Sequence, residues 1–502
     1  MDTDNRLRLK RLGIDTRQEA VVYMRRDCHV CRAEGFAAQA RVRVSLGANS
    51  IIATLNHVIG ELLAPDEAGL SESAWKLLAA SNGDWIAVTH PRPLESLSSV
   101  RAKVFGHRLG SEQLAEIMTD IVAGRYADVH LSSFITACSA NGMDHDEMVG
   151  LTRAMVAAGD RLDWAVSPVV DKHSVGGLPG NRTTPIVVAI VTACGLTMPK
   201  TSSRAITSPA GTADVMETLA PVDLDLATMR RVVEREGGCI AWGGAVRLSP
   251  ADDTLIRVER ALDLDSEGQL VASVLSKKAA AGATHLVLDM PVGATAKVRT
   301  AADADRLTRH LLGVAQALGI EARVLRSDGR QPVGRGIGPA LEARDVLAVL
   351  QTSFDAPADL RERALTLAAA LLELGGAAAP AAGAGLAEAT LADGRAWAKF
   401  QAICIAQGGL RAPPRAAYTQ PVDAERSGAV EAIDNRRLAR AAKLAGAPDA
   451  KAAGAEVHAH LGQQVEQGEP LFTLHAETAG ELAYARDYVD NHVPIFAIGD
   501  TR

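Results

Sequence analysis

Aromatic side chains are scarce in this chain: Phe, Tyr and Trp together make up 3% of its 502 residues. A platform that stacks successive bases of a single strand needs several aromatics interleaved with Lys and Arg, so that class of function is excluded. Positive charge is not in excess either. The formal net charge of -7 offers no general attraction to nucleic acid or anionic lipid, so any basic site must be local. Met1–Lys10 is charged rather than apolar, and no apolar run approaches the ~18 to 20 residues of a membrane span. The expectation is a cytoplasmic protein with neither nucleic acid nor membrane as a partner. Cysteine is also sparse, at six residues, which fits a reducing compartment; Cys138, Cys194, Cys239 and Cys404 stand singly in apolar contexts and read as small buried hydrophobes. Cys28 and Cys31 have C-x-x-C spacing, which suits zinc or redox chemistry. A structural zinc site wants four ligands, however, and no second pair of that spacing follows, so two incidental thiols and no metal are expected.

What is present is the balance of a soluble globular protein, 47% hydrophobic and 23% charged, long enough for about three domains at ~150 residues each. Short β-type runs punctuated by Gly, Asn and Asp fill residues 19–60, so residues 1–90 are expected to form a small β-rich domain serving assembly rather than chemistry. Helical periodicity follows, with Gly110 and Asp144 offering N-terminal caps, and it returns at 255–282; residues 95–163 and 255–282 are expected to share a helical domain. Strand, Gly-rich turn and helix alternate after Trp164, which argues for an α/β domain over 164–254 and 283–420 with ligand groups at the strand ends. The Ala-, Gly- and Pro-rich stretch 375–394 reads as a mobile connection, and 421–502 as a compact C-terminal α+β cap.

Three clusters carry candidate chemistry. DKHSVGG, residues 171–177, stands between an apolar strand and Asn181-Arg182-Thr183-Thr184; glycines let backbone amides approach a phosphate while Lys, Ser and Thr supply donors. Lys172 is expected here as a loop lysine facing solvent. The pattern is neither of the common triphosphate or dinucleotide fingerprints. The second cluster, Lys200 to Asp214, crowds hydroxyls and two cations at the next strand end, so the two loops together suggest an oxyanion-binding cleft rather than two solvated turns. In the third, Ser273 and Lys277 are four apart and share a helix face, which Arg257 could join.

The strings VVDKHSVGG, KTSSRAITSPAGTADVMETL, VASVLSKKAAAG and GMDHDEMVGLTRAMVAAGDRLDW resemble, in order, the signature segments of the thymidine phosphorylase and AMP phosphorylase family. The resemblance covers about residues 101–502, and the N-terminal extension looks like the added domain of the archaeal AMP phosphorylases. It implies a multidomain α/β fold: a helical domain hinged to an α/β domain with a mixed, largely parallel sheet, flanked by the N-terminal β-rich domain and the C-terminal cap. It implies phosphate contacts at Lys172, Ser174, Thr183, Ser202 and Thr212, and base contacts at Arg257, Ser273 and Lys277. Two departures from the short thymidine phosphorylases, Thr-Ser-Pro-Ala-Gly-Thr at 207–212 and Thr254 in place of a tyrosine, lean toward the AMP phosphorylases. Their nucleotide pattern falls on Gly177, Ser203, Arg204, Thr207, Ser208, Thr212, Ser273 and Lys297, with Asp265 as proton donor; Lys172 and His173 are further catalytic candidates.

The implied activity is thymidine phosphorolysis to thymine and 2-deoxyribose 1-phosphate, with phosphorolysis of AMP or another nucleoside 5′-monophosphate as the alternative. Inorganic phosphate is then a co-substrate, no cofactor is required, and a homodimer or larger homo-oligomer is expected. A phosphoribosyltransferase using magnesium is the remoter alternative, for which Asp252-Asp253 is the one candidate metal pair.

Overall fold

The computed structural model describes residues 6–16, 19–205, 208–262, 264 and 266–499. Two compact units emerge, Met1–Met143 with Thr254–Ser266, and Asp144–Asp253 with Glu267–Arg502.

The first unit opens with strands β1 (Arg6–Arg11), β2 (Val21–Arg25), β3 (Arg41–Leu46), β4 (Asn49–Val58), β5 (Glu67–Leu70) and β6 (Trp85–Thr89), which close into a barrel of order β1-β5-β2-β4-β3-β6. Alternation drives the closure: in RLRLKR and RVRVSL the residues Leu7, Leu9, Val42 and Val44 are buried, while Arg6, Arg8 and Lys10 are exposed and Arg41 and Arg43 are half-buried. Closure also leaves no strand edge free to pair with another chain. Two short helices, α1 (His29–Glu34) and α2 (Glu72–Leu78), fit between strands. Helices α3 (Leu97–Val104), α4 (Ser111–Val122) and α5 (Asp128–Asn141) follow. On α4 the buried residues Leu114, Ile117, Met118 and Ile121 recur at helical spacing, as an amphipathic helix requires.

In the second unit α6 (His145–Ala157) begins with a reciprocal cap: the Asp144 carboxylate accepts from Glu147 N at 3.0 Å, and Glu147 accepts from Asp144 N at 3.2 Å. Next come β7 (Val170–Ser174), α7 (Thr183–Ala193), β8 (Met198–Ser202), α8 (Thr212–Glu217), α9 (Leu226–Glu236), β9 (Gly238–Trp242), α10 (Pro250–Leu262), α11 (Glu267–Ala280), β10 (His285–Val292), α12 (Ala301–Ala317) and β11 (Glu321–Asp328). Strands pair in the order β11-β10-β7, and a parallel bridge from Val169 to Thr197 carries the sheet on to β8-β9. Every pairing in this core is parallel, not mixed. Antiparallel pairing begins where β12 (Gly336–Ile337) meets the C-terminal sheet. Helix α7, TTPIVVAIVTA, is buried from Thr183 to Thr192 and sits in the largest apolar core, an all-round apolar helix having nowhere else to go. Helices α13 (Pro339–Leu350), α14 (Ala358–Leu374), α15 (Gly383–Ala392) and α16 (Arg395–Gln407) wrap it. The stretch 375–394 is therefore no loose connection: alanines form α15, which buries Ala387 and Leu391 in that core. Residues 418–498 build two small antiparallel sheets and two helices around Phe472 and Phe496, which stack at 5.6 Å.

Candidate active site

Lys172 lies inside strand β7, not in a solvent-facing loop, and is 1% exposed. Its Nζ donates to Thr183 Oγ1 at 2.6 Å and to Thr184 Oγ1 at 3.3 Å, at the start of α7. Hydroxyls are the only hydrogen-bond partners of this ammonium among the described residues. Burial pulls its pKa down to about 8; Asp289 pulls the other way, and Arg182 reinforces the fall. A buried cation without a carboxylate in contact is costly unless an anion arrives to pair with it.

Around it the strand ends are tightly wired. Asp171 is buried between Lys278 (2.8 Å) and Lys200 (3.2 Å). Burial works to raise this carboxyl, but the two ammonium charges win and hold it below its ordinary value. The triad ties α11 and β8 to β7. Ser174 Oγ donates to Asp289 Oδ2 at 3.0 Å, Asn181 Nδ2 donates to the same oxygen at 3.1 Å, and Ser327 donates to Oδ1 at 2.7 Å. Asn181 adopts φ 54°, a left-handed turn that Asn tolerates better than most residues, and this turn presents Thr183 and Thr184 to Lys172. His173 is pushed well below its ordinary value by burial first and then by the charges of Lys278, Lys200, Lys277 and Lys172, so its imidazole is neutral near pH 7.

Gly177 meets Lys297. With φ +81° and only 2.3 Å between a hypothetical Cβ and Lys297 N, the position admits glycine alone without displacing backbone. Ser202, at the end of β8, is buried and its Oγ has no hydrogen-bond partner among the described residues. Thr212 begins α8 and accepts from Arg182 at 2.7 Å; the same guanidinium donates to Ala210 O at 2.9 Å and to Glu342 at 2.7 Å. Burial lifts Glu342 to about 7 although Arg182 opposes the rise. Lys172, His173, Ser174, Thr183, Ser202 and Thr212 thus sit on consecutive strand ends and helix starts of one sheet.

Other candidates are used differently. Arg204 is bound into an ion network: it holds Glu217 at 2.7 Å, approaches Asp214 and Asp223 at 3.4 and 3.5 Å, and lies 4.8 Å over the Trp242 ring. Asp214 in turn caps Ala205 N and Gly211 N, closing the loop on itself. Ser208 donates inward to Ala210 O at 3.0 Å, and Ser203 is exposed. Thr207 and Asp265 lie outside the described residues. Ser273 and Lys277 are on α11, and Lys277 pairs with the buried Asp252 at 2.5 Å. Arg257 lies on the part of α10 that belongs to the first unit, where Asp128 holds both its terminal nitrogens at 2.6 and 2.8 Å. Cys28 caps α1 and accepts from Cys31 N at 3.3 Å; both are buried. Among the described residues no group of three His, Cys, Asp or Glu is placed to hold a metal ion.

Sequence reasoning passed over Asn181, Arg182, Asp289 and Glu342, which orient the cradle. Asn181-Arg182 beside the paired threonines was the available signal; Asp289 and Glu342, more than 100 residues away, left none.

Comparison with known proteins agrees with this layout. Residues 98–159 match the glycosyl transferase family helical bundle domain, 166–397 its a/b domain, and 429–496 the pyrimidine nucleoside phosphorylase C-terminal domain. The chain is 65% identical to a "Putative thymidine phosphorylase" of Polaromonas sp., covering 97% of this chain and 95% of that one. It is 59% identical to a protein of the same printed name from Legionella pneumophila, covering 99% and 96%. Anthranilate phosphoribosyltransferase from Thermus thermophilus shares the fold, with a TM-score of 0.53 at 20% identity over 62% of this chain and 99% of that one.

Proposed function

The chain belongs to the thymidine phosphorylase family, on the domains of the glycosyl transferase family, and is a pentosyltransferase; from that premise we propose that it cleaves pyrimidine nucleosides with inorganic phosphate, thymidine giving thymine and 2-deoxyribose 1-phosphate. The observation that carries the reading is Lys172, a fully buried ammonium held by hydroxyls alone. Phosphate supplies the missing counter-charge, with Ser202 Oγ as a donor whose burial without a partner costs about 1–3 kcal/mol until a ligand accepts from it.

A phosphate oxygen attacks the anomeric carbon, the bond to the base nitrogen breaks, and its electron pair leaves with the base. Bound phosphate both attacks and offsets the positive charge that builds on the sugar; positioning the two reactants is worth up to ~10⁵ M or more in effective concentration. Arg257, Ser273 and Lys277 are the groups assigned to the base, their cations stabilising its developing negative charge. Neutral His173 offers a ring N–H rather than an imidazolium proton, and the family resemblance assigns the proton-donor role to Asp265. No cofactor enters this scheme.

The nucleotide alternative is weakened by Arg204 and Ser208, whose polar groups serve the loop itself. A magnesium-dependent transferase is weakened by Asp252, which is buried against Lys277 and leaves Asp253 as the exposed carboxylate of the pair. The test incubates enzyme and phosphate separately with thymidine, uridine, AMP and CMP and follows free base by chromatography. Thymine or uracil release is expected; efficient AMP or CMP cleavage with negligible thymidine cleavage overturns the reading.

A further inference from the structure

The assignment of Arg257 to the base leaves the aim of its guanidinium unexplained, and the first unit supplies it. Arg257 and Asp128 are a two-pronged pair, yet their side chains are 37% and 56% exposed. An exposed ion pair contributes little to stability. Its use has to be sought in orientation, which a fork gripped at both terminal nitrogens provides.

Asp128 is the first residue of α5, so its position depends on the turn that leads into the helix. The barrel holds that turn. Arg41, at the start of β3, donates to the Gly124 carbonyl four residues before Asp128, and to Thr54 Oγ1 on β4 at 2.9 Å. Thr54 Oγ1 in turn donates to Glu19 Oε1 at 2.8 Å. Burial lowers the Arg41 pKa while Glu19 and Asp128 raise it, and Glu19 also bears on Arg257, so the charges form one alternating set. Every one of these residues lies in the same compact unit.

We propose that the N-terminal barrel presets the base-binding arginine: Arg41, anchored by Thr54 and Glu19, fixes the entry to α5, and Asp128 thereby aims Arg257. Arg41 and Asp128 are positioning residues. The inference rests on the reading of Arg257 as a base contact and extends the barrel's part beyond assembly.

Steady-state kinetics on the full chain tests it with Arg41→Ala, Asp128→Ala, Arg257→Ala and the double variant Arg41→Ala/Arg257→Ala. Arg41→Ala and Asp128→Ala are each expected to raise the nucleoside KM about tenfold, the size of one lost charge-assisted hydrogen bond. The phosphate KM stays within about twofold while kcat on the nucleoside falls along with the rise in its KM, because these residues reach the rest of the site only through Arg257, which faces the charge developing on the base. Arg41→Lys, which keeps the charge and a donor, recovers part of the loss, and the double variant is no worse than Arg257→Ala alone. If Arg41→Ala does not fold, Arg41→Lys and Asp128→Asn carry the same comparison. A raised KM in Arg257→Ala with none in Arg41→Ala and Asp128→Ala overturns the inference and spares the functional reading. No change in Arg257→Ala overturns both. Equal rises in both substrates' KM, or additive losses in the double variant, mark a merely structural role and also overturn it.

Discussion

Lys172, inside β7, and Arg204, in the loop that follows β8, stand beside hydroxyls and glycine on successive strands, and they end in opposite electrostatic states. Lys172 is sealed against two threonines with no carboxylate in contact; Arg204 is shared among Glu217, Asp214 and Asp223 and stacked on Trp242. A buried, unneutralised cation is poised for an anionic ligand. Arg204, shared among three carboxylates, has little net charge left for a second anion. Counting cations in a loop therefore does not count the charge available to substrate; what matters is whether acidic partners converge from elsewhere.

The sharpest way to break the comparison is to remove each cation. Lys172→Met is expected to lower kcat/KM for phosphate on the order of 10²–10³-fold, as for loss of a buried group that meets charge in the transition state. Arg204→Ala should leave the phosphate KM within about twofold; a larger loss there than in Lys172→Met reverses the assignment of the two loops. Next in size is Gly177→Ala, whose Cβ would fall 2.3 Å from Lys297 N. The forced shift of the cradle should raise the phosphate KM about tenfold, of the order of ~1–3 kcal/mol of backbone strain, and unchanged kinetics would show that the close approach is irrelevant to binding.

The pH response separates the two cations further. Because burial holds Lys172 at about 8, below the ordinary 10.5, its charge is lost as pH rises through 8, and phosphate affinity should fall on that limb. Stability runs the other way. Between pH 8 and 10.5 the unfolded chain binds the proton that the folded chain has released, so this group's penalty is present below 8 and relieved as pH rises across that window. Urea titrations across the window should show the rise in wild type and not in Lys172→Met; a rise of equal size in both removes Lys172 as its source. The smallest effect concerns Arg204, which holds Glu217 at about 2, below the ordinary 4.5. That stabilisation is present above pH 4.5 and lost as pH falls toward 2. Both partners are nearly a third exposed, so after screening Arg204→Ala should cost only about 1 kcal/mol at pH 7. Thermal melts at pH 7 and pH 3 check it: the difference should shrink at pH 3.

Much of this was legible in the chain itself. The signature strings place Ser174 and Ser202 near strand ends and Thr183 at a helix start because apolar runs and Gly-rich turns are local signals, and the caps at Gly110 and Asp144 were readable for the same reason, whereas the burial of Lys172 inside β7 was not. The status of Arg204 was not legible, since its partner Glu217 is also bound by Lys451 from the C-terminal region at 2.9 Å. Nor was the helix within 375–394, where alanine favours a helix but glycine and proline mask it; tertiary packing around α7 decides.

By itself the sequence determined the succession of β-rich, helical and α/β regions, the family, and the residue types available to phosphate, because periodicity, turn chemistry and motif spacing act over short stretches of chain. Only the tertiary structure decided which of those groups remain chemically available. Burial and ion pairing depend on neighbours such as Asp289, Glu342 and Asp128, brought from distant parts of the chain by packing that no local pattern encodes.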